Sequence, residues 1–131
     1  MLSTQKFFFD HIDDITSLAI HPNKKIIATG EVGPYPLIAL WNSETMECII
    51  RMNGPLQKGI NHLAFSKDGK YLVASAADDN HHIAIFDWER GGKNQESVNI
   101  KSKKQKAAAS TNPVYCYGKG PRANIMGLCF N

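Results

Sequence analysis

The chain has 131 residues, 43% of them hydrophobic and 21% charged, which is the size and make-up of one ordinary soluble domain with a single core. Its net charge of +3 is too small to mark a nucleic-acid binder, and the basic excess is local: residues 97–131 carry six basic and no acidic side chains, residues 1–96 nine basic and twelve acidic. Three cysteines without Cys-x-x-Cys spacing (Cys48, Cys116, Cys129) argue against a disulfide framework and a zinc ribbon, and the apolar run Phe7-Phe8-Phe9 stops at Asp10, far short of a signal-peptide core or membrane helix.

In chain order, apolar residues come in short runs bounded by turn residues: Leu18 and Ile20, then Ile26-Ile27-Ala28, then Ile38, Leu40 and Trp41, then a fourth run in Glu47 to Met52. Helical spacing is poor throughout. Gly33-Pro34-Tyr35-Pro36 precedes the third run and denies a helix there. The next runs repeat the first. Ile15 to Gly30 aligns without a gap on Ile60 to Ser75, an offset of about 45 residues, and the same offset carries Leu37–Asn42 onto His82–Asp87. Asn23-Lys24 and Asp68-Gly69 fall between paired runs, where Asp-Gly supplies the positive φ of a tight hairpin. Each unit is therefore expected to be a four-stranded antiparallel meander.

A unit of about 45 residues whose third strand closes on an aromatic plus Asp or Asn resembles a propeller blade of the WD-repeat type. The closing pairs here are Trp41-Asn42 and Phe86-Asp87, and His11 stands where the Gly-His pair opens such repeats, with Asp10 in place of Gly. The resemblance implies a buried relay of His11, Thr29 and Trp41, and a structural role for Phe86 and Asp87. Leu56 stands opposite His11, so the second unit lacks that relay.

The expected fold is all-β, with blade one over about 11–54, blade two over about 58–100, a basic insertion over about 101–123 and the first strand of a third blade at 124–131. A closed propeller has roughly four to eight blades. Two blades and a strand read as a fragment, whose open blade faces need the rest of a propeller or another chain to cover them.

Finer motifs resemble one family in particular. His11-Ile12-Asp13-Asp14, Ala28-Thr29-Gly30 with Gly33 and Pro36, Asp78-Asp79-Asn80-His81 and Asp87-Trp88 look like the blade pattern of the echinoderm microtubule-associated protein-like family, over about residues 8–92. The resemblance implies tandem propellers bound to microtubules or tubulin and a place in the cytoplasm and cytoskeleton and in some cases cilia; it does not imply catalysis, and no cofactor is expected.

The candidate chemistry is sparse. His81-His82 beside Asp78-Asp79 offers metal-ligand types, but successive residues of an extended segment point to opposite faces, which favours polar turn residues. Asp13-Asp14 and Asp78-Asp79 are paired carboxylates on turns, where acids stay solvated. Gly118-Lys119-Gly120 lacks the spacing of a phosphate loop, and the cysteines have no histidine in a nucleophile signature. One charged cluster remains: Lys101, Lys103, Lys104 and Lys106, with Lys119 and Arg122 downstream, a run that attracts polyanions. Tubulin's acidic tails suit it under the family resemblance. RNA or DNA suits it otherwise, although Tyr115 and Tyr117 are weak support for base stacking and nucleic acid is disfavoured. The plain alternative is a solvated loop. The leading expectation is a non-enzymatic interaction scaffold without metal; the others are a WD-repeat adaptor unrelated to tubulin and a small metal-dependent hydrolase.

Overall fold

The computed structural model describes residues 5–90 and 114–120, together with Gly127 and Cys129. Eight strands follow one another: β1 (Ile15–Ile20), β2 (Ile26–Glu31), β3 (Leu37–Asn42), β4 (Cys48–Asn53), β5 (Ile60–Phe65), β6 (Tyr71–Ala76), β7 (Ile83–Asp87) and β8 (Val114–Gly118). They form two antiparallel sheets in sequential order, β1-β2-β3-β4 and β5-β6-β7-β8. β-Branched and aromatic residues supply two or three positions of each strand, and turn residues end it.

Over the first three strands of each sheet the register repeats. Ile27 lies opposite Trp41 and Leu72 opposite Phe86, and the same irregularity interrupts both first pairs, between Ile15 and Ser17 and between Ile60 and His62. The first turns correspond too. Lys24 N–H donates to His21 O as Gly69 N–H donates to Ser66 O, and the φ angles are +61° at Lys24 and +74° at Gly69. Asn23 Oδ1 and Asp68 Oδ1 each accept the N–H two residues on.

The fourth strand of the second sheet departs from expectation. β8 lies inside the stretch assigned to the basic insertion, not within 58–100, and pairs with β7 from Asp87↔Val114 to Ile83↔Gly118. Val-Tyr-Cys-Tyr is a far better strand former than Gln95-Glu96-Ser97, and because loop-closure entropy grows only slowly with length the chain can reach past a poor candidate to a good one. The lysine run thus lies, in chain order, between β7 and β8. Residues 101–106, Arg122 and the expected third-blade strand, apart from Gly127 and Cys129, fall outside the described residues.

Strand alternation gives each sheet two faces. A front face carries Leu18, Thr29, Ala39 and Trp41 in the first sheet and Leu63, Ala74, Ala84 and Phe86 in the second; a back face carries Ala19, Ala28, Leu40 and Ile50 in the first and Ala64, Val73, Ile85 and Cys116 in the second. The back of the first sheet packs on the front of the second in one core that includes Leu40, Ile50, Met52, Leu63, Leu72 and Phe86. Gly30 makes the close approach possible, since a Cβ there would lie 2.6 Å from that of Ile60. Polar contacts pin the same joint. Thr16 Oγ1 donates to Ile60 O at 2.8 Å, and His21 Nε2–H donates to Gly69 O at 3.0 Å, beside the Trp88 Nε1–H at 2.8 Å. Because His21 Nδ1 accepts the Asn23 N–H, the proton needed at Nε2 is in place.

Candidate functional site

The front face of the first sheet is crossed by the segment before β1. Phe8 stacks on Trp41 with ring centroids 4.7 Å apart, and His11 drops its imidazole over Thr29. Lys6 Nζ donates to Glu44 O at one end, and near the other Asp10 takes the Arg51 guanidinium in a two-pronged ion pair. This strap buries the polar centre of the sheet.

Four side chains form that centre. Trp41 Nε1–H donates to Thr29 Oγ1 at 3.2 Å, Thr29 Oγ1 lies 2.6 Å from His11 Nε2, and His11 Nδ1 lies 2.9 Å from Glu31 Oε2. The carboxylate only accepts, so Nδ1 carries a proton, and Thr29 Oγ1 lies within hydrogen-bond reach of both His11 Nε2 and, at 3.5 Å, the Ala39 carbonyl. Glu31 is also held by the backbone, accepting Ile12 N–H and Leu37 N–H at 3.1 Å each. Every polar atom named has its partner, which is what a buried network requires.

His11, Thr29 and Trp41 are therefore brought together. Phe86 and Asp87 lie in the other sheet: Phe86 is wholly buried at the place equivalent to Trp41, and Asp87 Oδ1 accepts the Arg90 N–H. Glu31 is the member that sequence reasoning missed. Its signal was an acid at the end of a strand otherwise made of Ile, Ala, Thr and Gly, two residues past Thr29 and so on the same face. In the second sheet the four equivalent positions are Leu56, Ala74, Ala76 and Phe86, all buried and all apolar.

The other candidates resolve into structural contacts. Asp78 Oδ2 lies 2.7 Å from His82 Nδ1 and Asp78 Oδ1 accepts His82 N–H; burial works against its charge, yet these bonds hold the carboxyl below the usual range. Asp79 pairs with Lys58 at the surface. Asp13 Oδ1 accepts Asp14 N–H. Among the described residues no three His, Cys, Asp or Glu side chains converge as metal ligands. Gly120 N–H donates to Asn80 O, which ties the Gly118-Lys119-Gly120 stretch to the Asp78–His82 turn. Burial pushes the Cys48 thiol up, the opposite of an activated nucleophile, and Cys116 and Cys129 are exposed.

Sequential four-stranded sheets stacked face on face, with a His–Thr–Trp relay in one of them, define a β-propeller segment, and the chain belongs to the WD-repeat family, whose WD domain, G-beta repeat model matches residues 2–33 and 46–87. Such repeats typically build protein-interaction scaffolds. The crystal structure of RRP9 WD40 repeats superposes with a TM-score of 0.63 at 20% identity, covering 94% of this chain and 31% of that one, and so shares its fold. By sequence, the chain is similar to echinoderm microtubule-associated protein-like proteins. It is 33% identical over 95 residues to the 77 kDa echinoderm microtubule-associated protein of Strongylocentrotus purpuratus, covering 66% of this chain and 14% of that protein. It is 30% identical over 104 residues to echinoderm microtubule-associated protein-like 4 of Homo sapiens, covering 71% of this chain and 11% of that protein.

Proposed function

We propose that this chain acts as a non-enzymatic interaction scaffold of the microtubule cytoskeleton in the cytoplasm, with tubulin or microtubules as its partner. The observation that carries this reading is the similarity, at about a third identity over two thirds of the chain, to proteins named for microtubule association. The charge distribution supports it. A lysine run at Lys101, Lys103, Lys104 and Lys106 in a stretch without acidic residues matches a strongly acidic partner surface.

Co-sedimentation with polymerised microtubules at rising salt tests the proposal. Binding by the wild-type chain that weakens with salt, and falls about tenfold on changing the four lysines to glutamine, is the expected result. Equal pelleting of the quadruple variant removes the lysine run from the mechanism. No pelleting of the wild-type chain at low salt leaves the alternative of a WD-repeat adaptor for another cytosolic complex.

A further inference from the structure

The two ends of the strands carry opposite charge. At the edge where β1 and β5 begin, Asp13 and Asp14 precede β1, and Asp78 and Asp79 lie between β6 and β7, against Lys58 and Lys119. At the other edge the β1–β2 turn carries Lys24 and Lys25 and the β5–β6 turn carries Lys67 and Lys70, with Asp68 the one acid on either turn. All four lysines are exposed, and among the described residues none of them forms an ion pair. Asp68 Oδ1 is engaged inside its own turn, where it accepts the Ser66 hydroxyl and the Lys70 N–H. The two turns are locked to each other. His21 Nε2–H on the first donates to Gly69 O on the second, and the His21 ring stands edge-on to Phe65 and Trp88, with centroids 5.1 and 5.7 Å away. Lys25 and Lys70 hold the same place in two copies of one turn, each giving its N–H to the side-chain oxygen two residues before it. The repeat thus sets cations at equivalent positions on neighbouring blades, and the joint fixes their separation.

We infer that this edge docks an acidic polypeptide, with Lys24, Lys25, Lys67 and Lys70 meeting its carboxylates. All four cations are lysines, flexible point charges suited to carboxylates spaced along an extended chain, and neither turn carries the arginine fork that grips phosphate in two prongs. The patch is also narrow. Glu44 and Glu47 lie on the β3–β4 turn, which is bonded to the first turn through the Ser43 N–H and Lys25 O. Those acids repel the dense phosphates of a nucleic-acid duplex, one charge per roughly 1.7 Å of its axis, and leave a strip along the two lysine turns for a single chain. The acidic edge opposite is repelled by the same partner, so the chain meets it in one orientation. The inference rests on the function proposed above where it takes a segment of tubulin as that polypeptide, and it places the contact on turns separate from Lys101 to Lys106.

Fluorescence anisotropy of a labelled glutamate oligomer titrated with the full 131-residue chain tests it. Wild-type binding at low salt that weakens as salt rises is expected. Changing the turn lysines together, Lys24→Gln, Lys25→Gln, Lys67→Gln and Lys70→Gln, should weaken it about tenfold while the circular dichroism stays that of the wild type. Arginine at the same four positions should restore it. A wild-type chain that does not bind the oligomer overturns the inference, and so does a glutamine variant that binds it equally well. Tighter binding of single-stranded DNA than of the oligomer at the same salt also overturns it, by making the edge a nucleic-acid surface. If the chain binds the oligomer through these lysines yet does not pellet with microtubules, the edge stands and the tubulin reading falls. If it pellets with microtubules and ignores the oligomer, the reverse holds.

Discussion

Lys24 and Gly69 occupy the same place in two copies of one turn, and the turn requires φ near +60° to +75° at that place. For an L-residue with a side chain this conformation is strained, and glycine adopts it freely. Lys24→Gly should therefore stabilise the fold by about 1 kcal/mol, the relieved strain exceeding the added freedom of the unfolded chain. The reverse change is not symmetrical. A Cβ on Gly69 would fall 2.0 Å from His21 Nε2, so Gly69→Ala adds a collision to the backbone strain and displaces the imidazole that bonds Gly69 O. The expected loss is about 3 kcal/mol, read as a fall in the urea midpoint.

Two ways of filling one sheet's centre stand side by side in this molecule. The first sheet uses His11, Thr29, Glu31 and Trp41 joined by hydrogen bonds; the second uses Leu56, Ala74, Ala76 and Phe86 at the same register. Removing one polar member strands the others without partners, whereas replacing all of them removes the side chains' need for one another and leaves only the Ile12 and Leu37 N–H groups without the Glu31 acceptor. His11→Leu alone should cost about 2 kcal/mol. The fourfold change His11→Leu, Thr29→Ala, Glu31→Ala and Trp41→Phe should cost clearly less than the four single changes summed, what is left of the loss lying with the Ile12 and Leu37 N–H groups that Glu31 served, a departure from additivity that denaturant titration of the single and combined variants measures.

At the scale of the molecule, stability resides in the joint, since neither sheet buries two faces by itself. Gly30 sets how closely the sheets approach. Gly30→Ala should push them apart and lower stability by about 2 kcal/mol in thermal unfolding. Ser75→Ala, at the equivalent position of the second sheet, should change little, because the Ser75 hydroxyl is buried without a hydrogen-bond partner among the described residues and its removal breaks no bond.

What could be read from residues alone was whatever depends on local order. The offset that carries Ile15–Gly30 onto Ile60–Ser75 implies two sheets of the same kind, and His11, Thr29 and Trp41 were recognisable because each follows from a position within one repeat. Strand period and turn chemistry are short-range properties, so a short stretch carries them. Three matters needed the third dimension. β8 pairs with β7 across a long connection, which no repeat offset registers. Glu31 reaches back twenty residues to His11, and an isolated acid at a strand end does not announce that partner. Which of two equivalent apolar faces is buried depends on which sheet has a neighbour on that side: Leu18 and Leu63 share a residue type and a register, and only packing separates them.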